Sequence, residues 1–367
     1  MSPTAGVHQF VPMLHRYDAV GEHARTLRDL LVEAGIPSRI YTEIPDPVTA
    51  AETAPYLRYE TDAAPGDVLV YQFATRSVIA GWLASRPEPI VVNYHSITPP
   101  EYFGPWSDGI TRLQVGALSE LALLAPRAEL GVAVSQFDAK ELLGAGCGRV
   151  EVIPVANVRV PPLEPDRALV EEVRNAHPGP GARWLSVGRL APNKAHQRTI
   201  AALFVTRTTT DPAATLTVVG SPSVPSYAAA LARYAEQLGL IDAVDFVSGI
   251  DEARLAAHYR AGHVLVMLSE HEGYGVPLVE AMGQGLPIVA TDAGAVREVV
   301  GDVAVLLGGT GPRSVAAAVS HLLGDPAERA RLVASGRVRF DELDLGHAGE
   351  RLVEALRGLR TRVTAAG

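Results

Sequence analysis

The chain is poor in the features that mark secreted, nucleic-acid-binding or membrane-spanning proteins. It has a single cysteine, Cys147, among 367 residues. An intrachain disulfide and a cysteine-rich zinc site are thereby excluded. Lysine is nearly absent: of 32 basic residues only Lys140 and Lys194 are lysines. The net charge is −9, which rules out the broad basic footprint of a nucleic-acid protein and disfavours docking on anionic lipid. Long apolar runs are missing too. The strongest, Val264–Leu268, is strand-sized and far below the ~20 residues that span a bilayer. The first twenty residues carry no basic stretch followed by an apolar one, so a cytoplasmic protein is expected. Hydrophobic residues at 47% and charged residues at 20% describe a globular chain, not a disordered one.

What is present is alternation. Strand-sized apolar runs at Val7–Val11, Arg39–Tyr41, Val68–Tyr71, Ile90–Tyr94, Leu130–Val134 and Val150–Ile153 are interleaved with helical patterns at Gly21–Ala34 and Leu113–Leu124. Residues 154–183 then hold six prolines, which predicts a linker. The alternation restarts with strands Trp184–Val187, Leu216–Val219, Val244–Phe246, Val264–Leu268 and Ile288–Ala290, separated by helices Ala195–Val205, Tyr227–Leu238, Glu252–Arg260, Pro277–Met282 and Val296–Val300. Helices near Arg313–Leu323 and Ala327–Ser335 and a final one at His347–Val363 close the chain. Such a pattern predicts two α/β domains, each a doubly wound parallel sheet. Their expected bounds are 1–165 and 175–345, followed by a C-terminal helix over 346–367.

Two segments carry chemistry. In Ser269-Glu270-His271-Glu272-Gly273-Tyr274-Gly275-Val276-Pro277-Leu278-Val279-Glu280 a strand ends and a helix opens, the place where doubly wound sheets bind ligands. Gly273 and Gly275 let backbone approach a ligand. Pro277 fits a first helical turn, and the N–H groups of Gly275 and Val276 then face an anion. Glu272 and Glu280 do not suit a phosphate; they suit sugar hydroxyls, as hydrogen-bond acceptors. On spacing alone, surface glutamates on an ordinary strand–loop–helix turn explain the segment equally well. The second segment is Gly188-Arg189-Leu190-Ala191-Pro192-Asn193-Lys194-Ala195-His196. It also follows a strand, and Arg189 and Lys194 are cations suited to a diphosphate. Solvated loop charges are the alternative there. Gly144–Gly148 imitates a dinucleotide glycine motif but precedes a strand, so it fails the context that fingerprint needs.

Together these segments resemble the glycosyltransferases of family 4, through the E-x7-E spacing of Glu272 and Glu280 and the Gly-Arg-Leu…Lys-x-His run. Gly285-Leu286-Pro287-Ile288-Val289-Ala290-Thr291 and Val134-Ser135 fit the same family in order and spacing. The resemblance is close over the second half and loose over the first. It implies the GT-B fold, with two Rossmann-like domains facing a cleft and the final helix crossing back onto the first of them, and retaining, metal-independent transfer of a hexose from a nucleotide diphosphate sugar to an acceptor hydroxyl. UDP-sugars come first as donor and GDP-mannose second. By position it implies that Arg189, Lys194, Glu272 and His95 are catalytic. It implies donor contacts from Gly21, Gly188, Gly249, Ile250, Gly273, Tyr274, Gly275, Val276 and Glu280, with Glu280 on the ribose. No cofactor and no metal are expected.

The first half departs from the family in carrying one glycine, Gly21, where many relatives have a pair. Tyr17, Asp18, Glu22, His23, Thr98, Glu101 and Tyr102 are the expected acceptor lining, for a small molecule or glycan. No nucleic-acid partner is expected, membrane association is disfavoured, and the oligomeric state is open. Two other classes share the fold and the donor: a sugar-nucleotide epimerase, which needs no acceptor, and a non-catalytic nucleotide-sugar-binding protein.

Overall fold

The computed structural model describes residues 4–14, 19–155 and 166–366. Tyr17 and Asp18 lie outside these, as do residues 156–165 of the proline-rich stretch. The chain divides into two compact units, one comprising Met1–Glu101, Asp108–Asn157 and Asp344–Gly367, the other Tyr102–Ser107 and Val158–Leu343.

The first unit runs β1 (Val7–Met13), α1 (Ala19–Glu33), β2 (Ile40–Ile44), β3 (Thr53–Pro55), α2 (Tyr59–Asp62), β4 (Val68–Phe73), α3 (Val78–Ala84), β5 (Ile90–Tyr94), α4 (Asp108–Leu124), β6 (Ala128–Ala133), α5 (Gln136–Gly144) and β7 (Val150–Val152). Its seven strands are ordered β3-β2-β1-β4-β5-β6-β7, and the pairs are parallel. Strand β4 is buried at every position, as expected where helices cover both faces of a parallel sheet. Its side chains alternate. Leu69, Tyr71 and Phe73 join Phe10 and Tyr41 under Ile79, Leu83 and Leu121 of α3 and α4. Val68 and Val70 face the other way, toward Leu27 and Leu31 of α1.

The second unit runs α6 (Arg167–Ala176), β8 (Arg183–Val187), α7 (His196–Thr209), β9 (Thr215–Val219), α8 (Pro225–Gln237), β10 (Val244–Val247), α9 (Glu252–Ala261), β11 (Val264–Met267), α10 (Val276–Gln284), β12 (Ile288–Thr291), α11 (Val296–Val300), β13 (Val305–Leu307), α12 (Pro312–Gly324) and α13 (Pro326–Glu342). Its sheet is ordered β10-β9-β8-β11-β12-β13, again parallel. The strand reversal between β8 and β11 puts the loops after these two strands at the sheet's topological switch point. Both units are thus the doubly wound sheets expected from the alternation.

The stretch expected to be a linker contains α6. Asp166 caps it by accepting from the Ala168 N–H at 2.8 Å, and Val170 packs on Ala257 and Ala261 of α9. The flanking prolines hid a helix with one narrow apolar stripe.

The last helix, α14 (Leu345–Ala366), belongs to the first unit. Ala348, Leu352, Leu356 and Leu359 are buried with the α1 and β4 side chains. No helix among the described residues is long and apolar enough to cross a membrane. Leu356 is fully buried, so Leu356→Ala should cost about 2–5 kcal/mol, read as a lowered chemical-denaturation midpoint. Glu354→Ala, on the exposed side of the same helix, should stay within about 0.5 kcal/mol of the parent.

Candidate active site

In the second unit the chemistry-bearing loops follow the adjacent strands β8 and β11, and three contacts tie them together. The Glu270 N–H donates to the Asn193 carbonyl at 2.8 Å. The Asn193 side-chain amide donates to the His271 carbonyl at 3.3 Å. The Lys194 Nζ meets Glu272 Oε1 at 2.5 Å. Asn193 and Glu272 are buried, and the Lys194 side chain is 15% exposed. Removing one partner of a buried pair leaves the other uncompensated and costs about 3–5 kcal/mol. A lysine has three N–H donors, so the pairing with Glu272 leaves donors for a ligand oxygen.

His196 shapes the first loop from beneath. Its Nε2 donates to the Arg189 carbonyl at 3.2 Å and its Nδ1 faces the Ser186 hydroxyl at 3.2 Å. Burial pulls its pKa down to about 4, with Lys194 pushing the same way, so it is a neutral strut. Arg189 itself is exposed, and no described residue pairs with its guanidinium.

The second loop is braced by Gly294, which has φ +59° and sits so close that a Cβ there would lie 2.2 Å from the Glu272 carbonyl oxygen. The next residue, Ala295, donates its N–H to that oxygen at 2.9 Å. Gly275 caps α10 with φ 87° and no side-chain capping bond. The helix N-terminus is thus left to an outside acceptor, the arrangement that binds anions. Gly188 lies against the Lys194 stem. Tyr274 differs from its neighbours: its side chain is buried, within electrostatic reach of Arg339 and Glu298.

Glu280 sits one turn into α10 and is 8% exposed. The Tyr259 hydroxyl of α9 donates to its Oε2 at 2.5 Å. Burial pushes the Glu280 carboxyl up to about 7, and the Tyr259 hydrogen bond draws it only partly back. Gly249, with φ +68°, and Ile250 follow β10, and Asp251 next to them caps α9 by accepting from the Arg254 N–H.

Tyr102 also belongs to this unit, through the segment Tyr102–Ser107. Its hydroxyl donates to the Glu270 carbonyl at 3.3 Å, and Trp106 meets Tyr227 edge-on at 5.0 Å.

The first unit has a polar group of its own at the C-terminal ends of its central strands. His95 follows β5, is half-buried, and its Nε2 lies 2.7 Å from Gln72 Oε1. Gln72 bonds Gln9 and Asn93, and Asn93 bonds His23 of α1. The turn after β5 is pinned by Tyr94, whose hydroxyl accepts from the Ile97 N–H and donates to Glu141. Gly21 is buried in the first turn of α1, and Glu22 beside it pairs with Arg25 at 2.8 Å. Thr98 is half-buried and Glu101 exposed. Gln9, Gln72 and Asn93 were not singled out in the sequence. Their signal is one amide on each of three mostly apolar strands, with Gln72 level with Asn93 and Gln9 two residues further back, which becomes visible once the order β1-β4-β5 and its register are known. Among the described residues no three His, Cys, Asp or Glu side chains are grouped as a metal site.

Solved structures match the whole chain in fold. HepE of Anabaena in complex with UDP-glucose has a TM-score of 0.73 at 20% identity, covering 96% of this chain and 99% of that one. Sucrose-phosphate synthase of Thermosynechococcus elongatus has a TM-score of 0.76 at 20% identity, covering 99% and 100%. The chain therefore has the GT-B fold. Residues 171–339 match the family described as glycosyl transferases group 1, and the chain is a GT-B protein related to that family. Among curated relatives, a D-inositol 3-phosphate glycosyltransferase of Catenulispora acidiphila is 32% identical over 258 residues, 64% of this chain and 59% of the relative. An MMP α-(1→4)-mannosyltransferase of Mycolicibacterium hassiacum is 39% identical over 110 residues, 29% of this chain and 27% of the relative. The matches span 59%, 44% and 53% of the length of the first three curated relatives.

The Glu280 carboxyl gives a pH signature. The folded chain holds this proton more tightly than the unfolded chain, whose carboxyl titrates near 4.5. Its contribution to stability is therefore full below that pH, declines as pH rises toward about 7, and stays lost above it. Glu280→Gln should remove that decline. Between pH 5 and pH 8 its unfolding free energy should fall less than the parent's, by up to about 3 kcal/mol, measured by chemical denaturation at both pH values.

Proposed function

We propose that this protein is a retaining glycosyltransferase that moves a hexose from a nucleotide diphosphate sugar, a UDP-sugar first and GDP-mannose second, to the hydroxyl of a small molecule or glycan. The observation that carries the reading is the convergence at one switch point of a lysine paired to a glutamate, an exposed arginine, an uncapped helix N-terminus and a buried glutamate on a tyrosine. Cations and a helix N-terminus suit a diphosphate, and buried carboxylates suit the hydroxyls around it. The names of the relatives agree with it: HepE is bound to UDP-glucose, and one relative is a GDP-mannose-dependent mannosyltransferase.

In this reading Arg189, Lys194 and the N–H groups of Gly275 and Val276 take the diphosphate, with Gly188 giving it room. Glu280 accepts from the ribose, Glu272 and the Gly273–Gly275 backbone from the transferred sugar, and the Gly249–Ile250 backbone meets the base. Tyr274 contributes its backbone, since its side chain is turned into the core. The acceptor lining is drawn from Glu22, His23, Thr98, Glu101 and Tyr102, together with Tyr17 and Asp18, which lie outside the described residues. Gly21 and His95 keep the parts that the resemblance implies for them, a donor contact and a catalytic role. The bond from the anomeric carbon to the diphosphate breaks as the acceptor oxygen attacks on the same face. A donor phosphate oxygen takes the acceptor proton, so the products are the glycoside and the nucleoside diphosphate. Negative charge grows on the leaving group, and groups fixed to meet it speed the reaction because they bind it more strongly in the transition state. The single thiol and absence of a disulfide suit the cytoplasm.

Melting the parent and Glu280→Ala in the presence of UDP-, GDP-, ADP- and dTDP-sugars tests the donor site. One nucleotide class at about 100 times its Kd should stabilise the parent by about 2.7 kcal/mol and leave the variant unmoved. No stabilisation by any of them would sink the donor assignment. With that donor and a turning-over acceptor, Lys194→Ala should lower kcat about 10²- to 10³-fold, and an unchanged kcat would remove lysine from the mechanism.

A further inference from the structure

Gln9, Gln72 and Asn93 are all but fully buried, on three neighbouring strands whose other buried side chains are mostly apolar. Unbonded amide groups are expensive there; the Asn93 oxygen lacks a partner among the described residues, and the remaining bonds form one directed chain. It starts at the carbonyl of Ala24 in α1. The Gln9 side-chain atom 2.8 Å from that oxygen has to be its nitrogen, because a carbonyl only accepts. The oxygen of Gln9 is then left to accept from the Gln72 nitrogen at 2.8 Å. That in turn leaves the oxygen of Gln72 to accept twice, from the Asn93 nitrogen at 2.9 Å and from His95 Nε2 at 2.7 Å. The Asn93 nitrogen also meets His23 Nε2 at 2.8 Å. Each orientation follows from the one before it, and the backbone carbonyl fixes the first.

We infer that this relay sets the tautomers of the two histidines in opposite senses: His95 carries its proton on Nε2 and leaves Nδ1 bare, and His23 carries its proton on Nδ1 and accepts at Nε2. Gln9 and Gln72 are then positioning residues. Burial, reinforced by His23, whose ring meets His95 edge-on at 5.2 Å, holds His95 neutral. Among the described residues no group bonds His95 Nδ1. A neutral ring with a lone pair there accepts from a hydroxyl and offers nothing to a phosphate or carboxylate. Given the proposed function, on which this last step rests, His95 selects an uncharged hydroxyl-bearing part of the substrate.

The test is the long-range 1H–15N spectrum of the full chain labelled at histidine, recorded between pH 6 and 8 and assigned with His95→Asn and His23→Asn. The parent should show His95 as the neutral Nε2–H form and His23 as the Nδ1–H form. A protonated His95, or an Nδ1–H His95, would overturn the relay. Gln9→Met touches neither histidine, yet it frees the Gln72 amide to turn over. His95 should then appear as a mixture of tautomers in a chain whose circular dichroism is unchanged, and an unaltered His95 signal in that folded variant would also refute the inference. Gln72→Glu puts a carboxylate against His95 Nε2, so the ring should take a second proton and titrate at higher pH than in the parent. With an active donor and acceptor pair, Gln9→Met should lower kcat/KM about tenfold, the value of one mispositioned hydrogen bond. The spectra hold whether or not a sugar is transferred. An inactive protein with the expected spectra would contradict the proposed function and leave the relay standing.

Discussion

Lys194 and Glu272 meet at 2.5 Å between the loops that follow β8 and β11, and the arrangement of the second unit's site depends on that contact. Losing either partner would leave the other uncompensated in a largely buried place, and the Asn193 bonds hold the geometry that joins them. The pair makes the two loops one body. Arg189, the helix N-terminus at Gly275 and the Glu280 carboxyl then stand in a constant relation to it, because each hangs from one of those loops or from the helix the second loop opens. Preorganisation of this kind is what a site needs if its charges are to meet a transition state without moving.

The first unit reaches the same end with neutral groups. Its relay begins at a backbone carbonyl and passes through buried amides to two histidines. A carbonyl cannot turn over, so the direction of every later bond follows. Both units place these constellations at the C-terminal ends of parallel strands, where doubly wound sheets leave their loops and helix N-termini for ligands.

Much of this was legible in the sequence. The alternation of apolar runs gave two doubly wound sheets, and the spacing of Glu272 and Glu280 put one in a loop and one in a helix, as found. Lys194 stood out because lysine is so rare here. What the sequence could not show was pairing across elements. Expected as a phosphate cation, Lys194 is also the counter-ion of Glu272, a contact between residues 78 apart that no local pattern encodes. The helix α6 was hidden by the prolines on either side of it and shows a single well-buried residue, Val170. Strands β3 and β13, three residues each, are too short to carry a period. Gln9, Gln72 and Asn93 look like ordinary polar interruptions until strand order sets β1, β4 and β5 side by side.

The measurement that bears most directly on the account is a crystal structure of the protein with UDP-glucose or, failing binding, GDP-mannose. The account requires the diphosphate against Arg189, the Lys194 ammonium and the Val276 N–H, with the ribose hydroxyls on Glu280 and the Lys194–Glu272 contact kept. A nucleotide seated away from the loops after β8 and β11, or a diphosphate that leaves Lys194 and Arg189 untouched, would contradict it.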